Sequence, residues 1–360
     1  MLKISGNIIY VLSILSSDNM ERIYKMSRKE GVLHLELPKD LSSAVEIELS
    51  ALSPKILTKL ASELSDRYRT NQPSSGKSFL KSREDVDAYA AFRMPATFAA
   101  VYSALKQVQE GLPNWNPQTL LDVGAGPGTV MWSAAAVWPD LNTVTLLERE
   151  ENMIALGKRL AKYSSSKSIQ EAMWTKTDIT GDWGTTSHDI VTASYVFGEL
   201  NEQHRETFIR KLWQVTSGIL IIIEPGTPAG FSRIKQAREQ LITEGGIPIA
   251  PCPHSMACPM ANDNWCHFSQ RVSRSRLHRQ VKAGELSYED EKFSFIAVSR
   301  MTGKPIPGRI LRHPQVNKGH IRFESCTPDG VSNMIISRKD KELYRKAKDL
   351  SWGSVLPQNE

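Results

Sequence analysis

Two sets of residues in this 360-residue chain have the types and spacing to do chemistry. The first is a glycine-rich run, Asp122-Val-Gly124-Ala-Gly126-Pro-Gly128, between an apolar stretch at 119–123 and a helix-forming one at 129–137. Between a strand and a helix, glycines open dihedrals closed to other residues and let a ligand approach the main chain. The start of the following helix offers N–H groups that have no partner inside the helix. The spacing is G-x-G-x-G rather than the G-x-G-x-x-G of dinucleotide sites, which disfavours a pyrophosphate cradle. Glu148 ends the next apolar stretch, 143–147, where its carboxylate can accept hydrogen bonds from both hydroxyls of a ribose. Asp178 follows a short strand pattern at 173–177, with Ile179 beside it.

The second set is the cysteines. All four lie beyond Pro251: Cys252, Cys258, Cys266 and Cys326, the first three spaced C-x5-C-x7-C. So few cysteines in a chain of this size do not form a disulfide framework. Pro253 and Pro259 follow two of them, and proline stiffens a ligand loop while removing a competing backbone donor. Cys326 stands beside a turn, Thr327-Pro-Asp-Gly330, which can fold back onto the loop and complete a four-thiolate site. Structural zinc takes the same ligands, or three cysteines and a histidine, and His254 and His267 are close in sequence. The paired C-x2-4-C knuckles usual for zinc are missing, and a radical-type three-cysteine motif fits neither the spacing nor the strand order. Iron–sulfur and zinc both remain open from the residues alone.

A third feature is electrostatic. The net charge is +6, and Arg271, Arg274, Arg276, Arg279 and Lys282 follow the cysteine loop directly. On a helix these residues would spread over a broad face able to neutralise several phosphates, which points to RNA. A basic tail at 338–348 adds to it.

The elements that must position these groups alternate. Strand patterns at 119–123, 143–147, 189–194 and 218–223 are separated by helical patterns at 129–137, 151–163 and 204–215, which calls for a parallel sheet with helices on both faces. The glycine pattern resembles motif I of class I methyltransferases, and that resemblance implies an α/β, Rossmann-like sheet binding S-adenosylmethionine. By the same resemblance Asp178 meets the adenine amino group, with Ile179 packed nearby. Methyl transfer is an in-line displacement for which alignment is the main requirement. The Asn/Asp-Pro-Pro-aromatic motif of amino-methylating enzymes is absent after the fourth strand. The chain there reads Ala193-Ser-Tyr195-Val-Phe-Gly-Glu199-Leu200, so Tyr195 and Glu199 are the side chains that could face the methyl group.

The chain divides into a region at 1–75 that carries no clear pattern, a helical lead-in at 76–118 and the cofactor domain at 119–230. A cysteine-rich and basic segment at 231–292 and a small β-rich module with a basic helical tail at 293–360 follow. The lead-in carries a strong amphipathic helix pattern at 85–108, broken at Pro95. An apolar run at 8–15 follows a single lysine without a small-residue cleavage pattern, and it is expected to be a buried strand or helix. No apolar run is long enough to cross a membrane.

Further residues carry a closer resemblance. They are Tyr89-Ala-Ala-Phe-Arg-Met-Pro-Ala-Thr-Phe-Ala-Ala-Val101, the glycine loop, Pro251-Cys-Pro-His254, Cys258-Pro259, Trp265-Cys-His-Phe268 with Gln270-Arg271, Gly319-His320, Cys326 to Gly330, and Trp352-Gly353. In these the chain resembles the methyltransferase-like assembly proteins of the small ribosomal subunit, found in mitochondria and bacteria. The resemblance implies a [4Fe-4S] cluster on Cys252, Cys258, Cys266 and Cys326, which favours iron–sulfur over zinc. It further implies association with the small ribosomal subunit and its rRNA. A monomer is expected, in the cytoplasm or, in a eukaryote, the mitochondrial matrix.

Overall fold

The computed structural model describes residues 24–26, 33–50, 52–69 and 82–357, apart from 182, 185, 262, 275–278 and 280–286. The apolar run at 8–15 lies outside these residues. Two short strands, β1 (Tyr24–Met26) and β2 (Leu33–Leu35), come first. The helices α1 (Lys39–Leu49), α2 (Pro54–Arg69), α3 (Arg83–Phe92) and α4 (Met94–Gly111) follow. The amphipathic pattern expected at 85–108 is thus two helices. The hydroxyl of Ser82 accepts from the Asp85 N–H and caps α3, and the chain breaks at Arg93 so that Pro95 falls in the first turn of α4, where its missing N–H costs nothing.

Next come β3 (Thr119–Val123), α5 (Thr129–Val137), β4 (Thr143–Glu148), α6 (Glu151–Ala161), α7 (Lys167–Gln170), β5 (Met173–Lys176), β6 (His188–Ser194), α8 (Glu202–Gln214) and β7 (Thr216–Pro225). After α9 (Pro228–Thr243) the chain forms β8 (Ile247–Ala250), β9 (Phe268–Ser273) and β10 (Tyr288–Ser299). A second sheet holds β11 (Arg309–Ile310), β12 (Gln315–Asn317), β13 (His320–Thr327) and β14 (Gly330–Ser337), with helix α10 (Lys341–Ala347) after it.

The main sheet runs β5-β4-β3-β6-β7-β10-β9, with β2 and β1 beyond β9. The five strands from β5 to β7 pair in parallel, and β10 is antiparallel to both β7 and β9. With helices on both faces, this is the Rossmann-like class I methyltransferase fold. One face packs Phe98, Leu105, Trp132 and Leu156, and the other packs Phe197, Phe208, Leu212, Ile234 and Leu241. Burial on both faces is why β7 reads as an unbroken apolar run from Ile219 to Ile223.

Two expectations need correction. The strand expected at 293–298 is β10 of the main sheet. Its residues are buried on both faces between β7 and the β8–β9 edge, so the small β module begins at β11 rather than at 293. The basic stretch does not start on a helix, since Arg271 lies in β9 and Arg274 just after it. Pairing of β9 with the Glu289–Phe293 part of β10 governs that segment. The cysteine loop leaves the main sheet at its edge. Strands β8 and β9 lie end to end along one edge of β10, β8 opposite Ala297–Ser299 and β9 opposite Tyr288–Phe293. Residues 251–267 leave the sheet in the gap between them.

Candidate functional site

The glycine loop sits at the C-terminal ends of β3 and β4, the end of an open parallel sheet where ligands bind. Leu147 O accepts the N–H groups of Gly124 and Ala125, at 2.8 and 3.0 Å, which pins the loop to the neighbouring strand. Gly124, Gly126 and Gly128 all have positive φ. A Cβ on Gly124 would strike Val196 at 2.7 Å, whereas one on Gly126 would meet nothing within 4 Å. The loop therefore needs glycine at 124 for packing, and at 126 it leaves open space against bare backbone. The N-terminus of α5 has no side-chain cap. Asp122 is wholly buried. Its Oδ1 accepts from the Thr192 hydroxyl at 2.7 Å, while Oδ2 has no hydrogen-bond partner among the described residues. Burial pushes its carboxyl up to about 7, against the pull of the Thr192 hydrogen bond.

Glu148 lies beside the loop as expected. Its Oε2 accepts from Gly126 N–H at 2.7 Å, and its Oε1 accepts from the N–H groups of Arg149 and Glu150 at 2.8 Å each. A carboxylate has about four acceptor positions, so one is left for a ribose. Glu148 thus shapes the glycine loop as well as lining the cleft. Asp178 is exposed. Its Oδ1 accepts from Thr180 N–H and hydroxyl, and its Oδ2 stands 3.7 Å from Arg149. Those hydrogen bonds hold its carboxyl below the ordinary range. Ile179 packs against the apolar core, and its carbonyl accepts from the Trp183 indole.

The acceptor side of the cleft holds Tyr195 and Glu199 together with an ion pair that the sequence did not single out. Arg93 makes a two-pronged ion pair with Glu291, at 2.6 and 2.9 Å, and its guanidinium lies 5.3 Å from the Tyr195 ring centroid. Burial alone would lower its pKa, and Glu291 more than reverses that. The Tyr195 hydroxyl faces the same carboxylate at 3.4 Å, and Tyr195 has φ +61°, a strained value for a tyrosine. Glu199 keeps contact with water at the cleft mouth, yet crowding by the surrounding protein pushes its carboxyl up to about 7. Arg149 opposes that shift.

The four cysteines converge on one cavity between the two sheets. Its walls include Cys252, Cys258, Cys266, Cys326, His254, Arg238 and Arg309. Cys252, Cys258 and Cys266 come from the loop between β8 and β9, held where the Ser294 hydroxyl donates to Cys266 O at 2.8 Å. Cys326 comes from β13, opposite Arg309 of β11 in the register. Burial raises the thiol pKa of Cys252 and Cys266 and pushes that of Cys326 to about 12. His254 reaches the site, with Nε2 3.8 Å from Cys326 Sγ, whereas His267 is drawn into an aromatic stack with Trp265 and Trp352. Among the described residues no group of three or more His, Cys, Asp or Glu side chains is disposed to hold a single metal ion.

Among the described residues, two of the arginines expected to bind RNA are paired with acids. Arg271 pairs with Asp290 at 2.8 and 3.0 Å and lies over the Tyr288 ring, and Arg274 pairs with Glu289 at 3.4 Å. Arg279 is exposed, while Arg276 and Lys282 lie outside the described residues.

Residues 83–357 match the family described as mitochondrial small ribosomal subunit Rsm22. This chain belongs to the Rsm22 family. The matched span takes in both the cleft and the cysteine cavity. Among curated relatives, this Rsm22 chain is 29% identical to the human mitochondrial ribosome assembly protein METTL17, over 75% of this chain and 62% of that one. It is 21% identical to the mitochondrial ribosome assembly protein RSM22 of Saccharomyces cerevisiae, over 89% of this chain and 74% of that one. The chain spans 43% of the Rsm22-cox11 tandem protein 2 of Schizosaccharomyces pombe, at 23% identity. It thus spans less than two thirds of the human and fission-yeast relatives. Among solved structures it is similar to magnesium protoporphyrin IX methyltransferase of Synechocystis PCC 6803 with bound S-adenosylmethionine. That similarity has a TM-score of 0.39 at 13% identity, over 73% of this chain and 98% of that one. For N-methyltransferase NodS of Bradyrhizobium japonicum the TM-score is 0.36, over 54% and 84%.

One signal in the Rsm22 sequence would have exposed Arg238. Its spacing from Ile234 and Leu241 puts it on the buried face of α9, where an arginine needs a reason. No comparable signal marks Arg93 and Glu291, which are brought together across 198 residues of chain.

Proposed function

We propose that this protein is an assembly factor of the small ribosomal subunit that holds S-adenosylmethionine in the glycine cleft and a [4Fe-4S] cluster on Cys252, Cys258, Cys266 and Cys326. The observation that carries this reading is the convergence of those four thiols, from two different sheets, on one cavity within the span that matches the family. A single tetrahedral ion needs thiolates at about 2.3 Å from one point, while a cluster spreads its ligands over several irons. The donor chemistry suits iron–sulfur, and the cluster would tie the main sheet to the small one.

For the cleft, the open space over Gly126 and the unpartnered Oδ2 of Asp122 support a bound nucleoside ligand. Glu148 would take a ribose hydroxyl, and Asp178 would take the adenine amino group next to Ile179. S-adenosylmethionine supplies a methyl group on a sulfonium. The residues that would receive an acceptor are engaged with one another, since the Arg93–Glu291 pair covers Tyr195. This supports action by binding, as a monomer on the subunit and its rRNA. That the relatives are mitochondrial ribosome assembly proteins supports the mitochondrial matrix over the cytoplasm. A second reading, methylation of small-subunit rRNA, draws on Glu199, whose raised carboxyl at the cleft mouth suits a proton acceptor near neutral pH.

Incubation with labelled S-adenosylmethionine and immature small subunits separates the two readings. We expect retention of the ligand by the protein without label in the rRNA. Label in the rRNA that disappears in a Glu199→Gln variant would establish the enzyme instead.

A further inference from the structure

Arg238 is only 3% exposed and Arg309 only 1%, and both line the cysteine cavity. Burying a guanidinium is costly unless a counter-charge meets it. Arg309 has Glu110 at 3.3 Å, together with the carbonyls of Gly353 and Pro251, and its Nη2 has no hydrogen-bond partner among the described residues. Among the described residues no carboxylate pairs with Arg238. Its Nε donates to Cys252 Sγ at 3.3 Å, and its Nη2 donates to His254 O at 2.9 Å and Met256 O at 2.6 Å. Every partner of Arg238 among the described residues is therefore a cysteine sulfur or a carbonyl of the cysteine loop. A buried cation arranged in this way calls for an anion in the cavity it faces. Four thiolates around a metal group carry net negative charge.

We propose that Arg238 is the counter-ion and positioning residue of an anionic metal–thiolate group in this cavity, with Arg309 as a second cation from the other sheet. One prong of the guanidinium fork fixes the loop through two carbonyls. The other hydrogen-bonds a ligand sulfur, which sets the electron affinity of the group. The inference rests on the cluster reading above, and its test separates the two.

The full chain, purified without oxygen, is compared with Arg238→Met and Arg238→Lys for iron, sulfide and zinc content and for reduction potential. Arg238→Met removes the charge, and it should retain at least tenfold less cluster under a chelator challenge. Arg238→Lys keeps the charge and loses the fork. It should load within about threefold of wild type, at a more negative potential because the sulfur has lost its donor. A wild-type chain that binds no metal overturns both the cluster reading and this inference. A zinc-only wild type overturns the cluster, and the zinc retained by the variants then decides on Arg238. Loading and potential unchanged in Arg238→Met, or equal losses in the two variants, overturn the inference alone. If Arg238→Met does not fold, a Lys variant that loads nothing, or loads at the wild-type potential, overturns it as well.

Discussion

The cofactor cleft and the cysteine cavity share one sheet but are made in different ways. The cleft is a backbone site. Its shape comes from three positive-φ glycines in seven residues and from N–H groups held by Leu147 O and Glu148. The cavity is a side-chain site, assembled from the break between β8 and β9, from α9 and from the far end of β13. A ligand in the cleft sits on a scaffold that is already complete. A metal group in the cavity would add covalent links between two sheets that also meet through hydrogen bonds such as Arg309 to Pro251 O and Trp352 to His267 O. Loss of the first should therefore be local, and loss of the second should weaken the fold.

The largest effect should come from Cys266→Ser, whose thiol faces the other three. We expect nearly complete loss of bound iron and a clear fall in thermal midpoint, with S-adenosylmethionine binding largely kept, as checked by iron analysis, calorimetry and ligand titration. A variant that loses ligand binding to the same degree would break the contrast. Gly126→Val should do the reverse. A β-branched residue at φ +55° costs about 1–3 kcal/mol in backbone strain, and its side chain fills the open space. Ligand affinity should fall at least tenfold, about 1.4 kcal/mol, with iron content unchanged.

A smaller effect concerns Asp122. Its carboxyl titrates at about 7 in the folded chain and at about 3.9 when unfolded. Between those values the folded state holds a proton that the unfolded state has lost. This group's contribution to stability is therefore largest below about pH 4, falls as pH rises to about 7, and is flat above. Asp122→Asn keeps the oxygen that accepts from Thr192 and removes the titration. Its thermal midpoint should gain on wild type between pH 5 and pH 8, and a constant difference would contradict the assignment. The smallest effect is expected from Arg271→Ala combined with Arg274→Ala. Both arginines are already paired with acids on β10, so RNA affinity and its salt slope should scarcely change. A slope reduced by about two would restore the phosphate-binding reading.

The same contrast explains what was legible in the sequence. The cleft was readable because its chemistry is local, with the strand, the glycines, the helix and Glu148 following in order. The parallel strands were readable because burial on both faces leaves continuous apolar runs such as Ile219–Ile223. The cysteines announced themselves by type, and Cys326 by its turn. The sheet break that holds the loop did not, because β8 and β9 are short and are brought into line by the same partner strand, β10. Arg271 misled for a related reason. A run of basic residues suggests a solvated helix, and nothing nearby in sequence reveals that Asp290 and Glu289 will lie across a strand pair. Arg93 and Glu291 were hidden by distance along the chain.

The central claim is that the four cysteines hold a cluster joining the two sheets. The most direct measurement is iron, sulfide and zinc analysis, with a visible spectrum, on the full chain purified without oxygen. The expected result is a brown protein with roughly four iron and four sulfide per chain. A colourless protein with stoichiometric zinc, or with no metal, would contradict it.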